Sequence, residues 1–291
     1  MAKRRDFSEE EILDICDSYK KTLARKPLSE KYNCNDKVIL RILLENQVEI
    51  RHRATRPNDN RRYKINDDYF NINYQSHNSA YILGLLASDG CVASSQNQIY
   101  IELQKVDREL LEKINIELKN ERPIKDYFNR SKNYYNSKLY FFSKTIKENL
   151  RLYNIVPNKT HYNNDFLQNI EECFYSDFIR GYFDGDGSIK WTNGSIQWQI
   201  DSTSLKTLQH IQDILKTADI TTKIVTHNER GRKTPLYRIY CHGYDNNLKI
   251  FKLFYQDSPS VSLRMKRKQK HFTELLLRYK SHETSNLLAL T

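Results

Sequence analysis

Two aspartates, each followed by glycine, carry the chemistry that this sequence is built to do. Asp89-Gly90 closes the run Tyr81-Ile82-Leu83-Gly84-Leu85-Leu86-Ala87-Ser88, and Asp186-Gly187 closes Phe178-Ile179-Arg180-Gly181-Tyr182-Phe183-Asp184-Gly185. Gly84 and Gly181, Asp89 and Asp186, and Gly90 and Gly187 stand at one constant offset of 97 residues. Each run reads as a helix on which Gly84 and Ser88, or Gly181 and Gly185, share one face. A helical glycine costs about 1 kcal/mol relative to alanine, and close packing of the two helices is the compensation expected. The carboxylates then meet at the helix C-terminal ends, where the helix dipole and their mutual repulsion both disfavour them. Divalent cations relieve both penalties. Mg²⁺ takes carboxylate oxygens while keeping waters and substrate phosphate oxygens, and so supports phosphodiester hydrolysis. Asp89 and Asp186 are therefore the expected catalytic and metal-binding residues, with two or more Mg²⁺ ions where the helices meet. Gly90 and Gly187 are expected as left-handed helix caps. A single Asp-Gly would read simply as a turn; the matched pair makes the case.

The elements that must position these acids repeat. Residues 78–280 read as two copies of one unit: a glycine-containing helix, a hairpin, a helix, a second hairpin and more helix. In the first copy Ile99, Ile101 and Leu103 alternate with Gln98, Tyr100, Glu102 and Gln104. In the second, Asn193-Gly194 separates two alternating runs, Ile189/Trp191 and Ile196/Trp198/Ile200, a strong hairpin signal. Helices are predicted over Asp107–Asn120 and Ser204–Thr217, and second hairpins over 124–143 and 222–242. A period near 100 residues is too long for a solenoid and indicates a pseudo-symmetric duplication.

Upstream, residues 1–50 read as a small helix-turn-helix-like domain. Ser8 caps a first helix, Pro27 opens a second, and Asp36–Asn46 forms a third after a turn at Asn33-Cys34-Asn35. Such a unit either touches DNA, with Lys37 and Arg41 as candidate contacts, or serves only as a packing module. Residues 51–77 lack periodicity and read as a basic linker whose Arg51 and Arg53 suit phosphates; 281–291 reads as a tail. The repeats are placed at 78–160 and 161–280.

Composition narrows the partner. The 291 residues carry 47 Lys and Arg against 36 Asp and Glu, a net charge of +11, which points first to nucleic acid. No apolar run reaches the roughly 18 residues of a membrane span, and no basic amphipathic stretch supports a membrane surface. The five cysteines lack zinc-ligand spacing, so reduced thiols in an intracellular, reducing compartment are expected.

The paired motifs resemble those of the LAGLIDADG homing endonucleases in their single-chain, two-motif form. Ile82–Gly90 and Ile179–Gly187 follow the nine-residue pattern, with the third-position glycine and the final Asp-Gly kept in both. The resemblance covers roughly residues 66–280. It implies an α+β fold of two αββαββα halves, motif helices at their interface and two antiparallel sheets forming a DNA-binding saddle. It also implies a monomer with internal pseudo-two-fold symmetry that cuts both strands of a long double-stranded DNA site, using Mg²⁺ and leaving 3′ overhangs. Ala87, where the second motif has Asp184, is a departure that spares the essential acid and leaves Asp184 a supporting role. Leu263-Arg264-Met265-Lys266-Arg267-Lys268 resembles the family's closing segment and places Lys266 at its catalytic lysine; Val156-Pro157-Asn158-Lys159-Thr160 nominates Lys159 likewise.

The polar strand faces are expected to read bases: Gln98, Tyr100, Glu102, Gln104, Lys190, Thr192, Gln197 and Gln199, with Arg130 and Lys138 beside them. The turn holding Arg230, Arg232 and Lys233 suits phosphates. Two rival readings share this fold: a DNA-binding regulator without catalysis, and an intron maturase that binds RNA.

Overall fold

Local side chains set the starts of several helices, among them those capped by Asn35, Ser76, Ser143 and Ser204. The computed structural model describes residues 7–22, 25–48, 62–131, 133–227, 234–258 and 262–288. It divides into two compact units, residues 1–62 and 63–291.

In the first unit α1 (Glu9–Thr22), α2 (Arg25–Lys31) and α3 (Asp36–Glu45) enclose a core of Ile15, Tyr19, Leu28, Ile39, Ile42 and Leu43. The Ser8 hydroxyl accepts from the Glu11 amide while the Glu11 carboxylate accepts from Ser8, a reciprocal cap. Asn35 caps α3 through the Lys37 amide. The turn between α2 and α3 falls at the expected place.

The second unit holds both repeats. The first runs α4 (His77–Ser88), β1 (Gly90–Val92), β2 (Gln98–Gln104), α5 (Arg108–Glu117), β3 (Lys125–Asn129), β4 (Tyr134–Phe142) and α6 (Lys144–Leu152). The second runs α7 (Tyr175–Asp186), β5 (Gly187–Thr192), β6 (Ser195–Ser202), α8 (Leu205–Thr217), β7 (Lys223–His227), β8 (Leu236–His242), α9 (Tyr244–Tyr255) and α10 (Lys266–Leu288). Each repeat forms an antiparallel sheet, ordered β1-β2-β4-β3 and β5-β6-β8-β7. Gly90 pairs with Ile101 and Gly187 with Ile200, so the two registers correspond. Asn193 and Gly194 both take positive φ, 50° and 73°, which gives the mirror-image turn that a right-twisted hairpin prefers. Ile99, Ile101 and Leu103, like Ile196, Trp198 and Ile200, are buried in the core, and the alternate residues face away from it.

The segment read as linker is not uniform. Residues 63–76 belong to the second unit: Phe70 is buried, Lys64 accepts from the Glu121 amide at 3.0 Å, and the Tyr69 hydroxyl reaches Glu117 at 2.9 Å. Likewise α10 continues to Leu288, past the expected boundary at 280.

The halves are joined by α4 and α7. A Cβ on Gly84 would lie 2.1 Å from the Phe178 carbonyl oxygen, and one on Gly181 would lie 2.0 Å from that of Tyr81. Backbone touches backbone here, which explains both helical glycines. Gly84→Ala gains about 1 kcal/mol of helix propensity but forces main chain apart. We expect a net loss of about 2 kcal/mol in chemical denaturation; unchanged or raised stability would mean that the helices are not in contact at this point.

Candidate active site and nucleic-acid interface

Asp89 is the C-cap of α4 and Asp186 the last residue of α7. A Cβ on Gly185 would stand 3.3 Å from the Asp89 amide nitrogen and 2.0 Å from the Ser88 hydroxyl, so the two helix ends abut. The glycines after the acids are not left-handed caps, as the sequence had suggested. Gly187 is extended, with φ −87° and ψ 161°, and Gly90 and Gly187 open β1 and β5. They are glycine because a Cβ would strike the carbonyl oxygens of Leu86 (2.5 Å) and Phe183 (2.6 Å). Each chain therefore turns directly from motif helix into strand, leaving its aspartate at the corner.

Both acids are exposed, yet the protein around Asp186 and then the charge of Asp89 push its carboxyl up to about 7. Burial is the larger cause, and the like charge of Asp89 at the abutting helix end adds to it. Two lysines share the site. Lys159, buried, donates to the Gly90 carbonyl oxygen. Lys268 donates to the carbonyl oxygens of Phe183 (2.8 Å), Asp184 (2.7 Å), Gly185 (3.2 Å) and Gly187 (2.7 Å). Gly90 and Gly187 are equivalent, so the two lysines are pseudo-symmetry mates. Burial pulls both ammonium groups down, and both aspartates pull them back up. Lys268 also satisfies the last carbonyls of α7, which a helix end leaves without intrahelical partners.

A cavity of about 260 Å³ opens beside Asp186, lined among others by Ser88, Lys159, Thr160, Asp201 and Ser202. Asp201 is held by Arg238 in a two-pronged ion pair at 2.6 and 2.9 Å. The donor set at the helix ends is two carboxylates, hard oxygen ligands. Among the described residues no group of three or more His, Cys, Asp or Glu could hold a metal. Such a pair fits an ion that completes its shell with water and phosphate rather than one caged by protein.

Not every expected site residue converges here. Lys266 is 60% exposed and pairs with Glu109 of α5 at 2.7 Å; the lysine at the helix ends is Lys268, two residues on. Asp184 is fully buried, accepting from the Tyr81 hydroxyl at 2.6 Å and the Met265 amide at 2.8 Å. Burial drives its carboxyl above the usual range. Lys268, Asp201 and Arg238 were missed by sequence reasoning. Only the cross-strand acid–base register of β6 and β8 could have flagged the last two.

Gln98, Tyr100 and Glu102 lie half-buried and Gln104 exposed on the β2 face turned away from the core. Lys138 stacks on the Tyr100 ring at 3.5 Å, and Glu102 accepts from Asn136 at 2.5 Å. Arg130 and Lys190 are exposed and Thr192 half-buried. Gln197 and Gln199 differ from expectation. They are 8% and 5% exposed, and Gln197 donates to Gln199, which in turn reaches Asp201. The β6 amides thus form a chain along the strand that positions the Asp201–Arg238 pair. Lys37 is exposed on α3, and Arg41 faces Glu45 at 3.6 Å. Arg51, Arg53, Arg230, Arg232 and Lys233 lie outside the described residues. No described helix is long and apolar enough to cross a membrane.

No curated protein sequence matches the chain. Solved structures that resemble it include mesophilic variants of the homing endonuclease I-DmoI, at 13% identity and a TM-score of 0.44, covering 65% of this chain and 96% of that one. I-DmoI in complex with DNA and Ca is 12% identical, with a TM-score of 0.43 and coverage of 68% and 97%. Full-length DUF199/WhiA from Thermatoga maritima is 16% identical, with a TM-score of 0.45 and coverage of 77% and 70%. The model of the LAGLIDADG-like domain matches twice, over residues 76–155 and 174–254, each match holding one motif helix and its sheet. Those two stretches make up more than half of the sequence, and the chain belongs to the LAGLIDADG-like family.

Proposed function

We propose that this protein is a site-specific endonuclease that hydrolyses both strands of a double-stranded DNA target in the presence of Mg²⁺. One observation carries the reading: two aspartates 97 residues apart in sequence emerge from helices in backbone contact, beside the buried Lys159 and the half-buried Lys268. An arrangement kept only for stability would not place two carboxylates at adjacent helix ends, where dipole and mutual repulsion both oppose them.

Asp89 and Asp186 would hold the cations, which supply a Lewis acid and activate water for attack on phosphorus. Lys159 lines the cavity beside Asp186 and holds its ammonium on the Gly90 carbonyl oxygen, next to Asp89, where its charge would act on water and phosphate oxygens. Lys268 spends its donors on four carbonyls, so it acts on the reaction through charge and by fixing the end of α7. The polar faces of the two sheets supply groove contacts, and the net charge of +11 supplies phosphate affinity.

The test is selection of cleaved sites from a randomised duplex library with Mg²⁺. A long, unique, roughly two-part consensus cut on both strands supports the proposal. Tight sequence-specific binding with no cutting in Mg²⁺ or Mn²⁺ would make the protein a regulator instead. Binding only to structured RNA would make it a maturase.

The pH dependence has a definite sign. The Asp186 carboxyl, raised to about 7, must lose its proton to accept a cation. Apparent Mg²⁺ affinity should therefore fall as pH drops below 7, approaching tenfold per unit for one displaced proton, and level off above 8. In the metal-free protein the same shift favours the native state at low pH and loses that advantage as pH rises from about 4 through 7. Isothermal titration with Mg²⁺ at pH 6, 7 and 8 checks this. A flat profile would leave Asp186 out of the cation site.

A further inference from the structure

Three carboxylates outside its own segment, Asp107, Glu109 and Asp184, hold the start of α10 just before Lys268. Asp107, at the entrance to α5 in the first repeat, is 4% exposed and accepts from Arg267 Nε through both oxygens, at 3.1 and 2.8 Å. Glu109 pairs with Lys266 at 2.7 Å, and Lys113 donates to the Ser262 carbonyl oxygen at 3.2 Å. On the opposite side Asp184 takes the Met265 amide at 2.8 Å, and the same oxygen takes the Tyr81 hydroxyl from α4 at 2.6 Å. Residues Ser262–Arg267 of the second repeat are thus clipped to the first repeat through α5 and, by way of Tyr81 and Asp184, to both motif helices.

Geometry makes the clip directional. Successive helical residues turn by about 100°, so Arg267 and Lys268 point to different sides of α10. With Arg267 fixed on Asp107 and Met265 fixed on Asp184, Lys268 has one orientation, over the last carbonyls of α7 beside Asp186. The first repeat has no counterpart of this device at its motif helix, because Ala87 stands where Asp184 does.

We infer that Asp107 of the first repeat, acting through Arg267, is a positioning residue for Lys268 and hence for Asp186 at the end of α7. Asp184 is its partner in the same task. The effect on cutting rests on the endonuclease reading; the effect on Lys268 does not.

Two readouts separate them. The first is trace acetylation of the intact protein with an N-hydroxysuccinimide ester, mapped by mass spectrometry, with the 79%-exposed Lys270 as internal standard. Lys268 should be protected in the parent protein. Asp107→Ala and Arg267→Gln should each raise its labelling about tenfold relative to Lys270, the scale of a local opening, while Arg267→Lys restores part of the protection. Arg267→Gln keeps the test open if Asp107→Ala does not fold. The second readout is cleavage. Both variants should lower the single-turnover rate with little change in DNA affinity, and neither should slow cutting further in a Lys268→Met background. Unchanged Lys268 labelling overturns the inference. So does increased labelling with an unchanged rate in a protein that cuts, or full additivity with Lys268→Met. If the parent cuts no DNA, the endonuclease reading fails while labelling still decides whether the clip holds Lys268.

Discussion

Asp89→Asn and Asp186→Asn should each reduce double-strand cutting by about 10³-fold or more, a loss of roughly 4 kcal/mol of transition-state stabilisation. Target binding in Ca²⁺ should persist within a few-fold, because on the endonuclease reading the contacts that secure DNA lie on the sheets. The substitutions should also stabilise the metal-free protein, since each removes one of two opposed carboxylates at the abutting helix ends. Loss of cutting, retained binding and gained stability together mark a site kept for chemistry. Normal cutting by both variants would remove the aspartates from the mechanism.

The second large effect separates the two lysines. Lys159→Met should slow cutting about 10²-fold, the usual consequence of losing one preorganised donor, with a smaller drop in melting temperature than Lys268→Met because it strands the Gly90 carbonyl alone. Lys268→Met should slow cutting too, but it strands the carbonyls of Phe183, Asp184, Gly185 and Gly187 at the end of α7. Removing a charged donor of that kind costs about 1.5–3 kcal/mol of stability, so melting should drop together with the rate. Calorimetry beside single-turnover kinetics distinguishes the two. Equal stability losses would mean that Lys159 is as structural as its symmetry mate.

Much of this molecule was legible in its residues, and the failures have identifiable causes. The duplication, the small-faced helices, the Asn193-Gly194 turn and the Ser8 cap follow from local rules, and the structure realises each of them. Lys266 takes the lysine position through the resemblance of a short segment, which does not fix where α10 begins or which way each side chain turns. Two residues amount to about 200° of helix rotation, enough to send Lys266 to α5 and Lys268 to the end of α7. Residues 63–76 sustain neither a helical nor a strand period, so the burial of Phe70 could not be inferred. The β6 glutamines looked like solvent-facing readers because alternation reports which side of a sheet a residue occupies. It does not report whether neighbouring side chains cover that side.

Because Gly84 and Gly181 bring main chain against main chain, the gap between the two motif-helix ends that carry Asp89 and Asp186 is a dimension of the peptide scaffold. Bulkier or smaller neighbours cannot tune it. On the endonuclease reading, the stagger between the two nicks is then a fixed gauge, indifferent to which bases the sheets come to prefer. Sequence preference can drift, or be re-engineered, across both sheets while the length of the single-stranded ends stays the same.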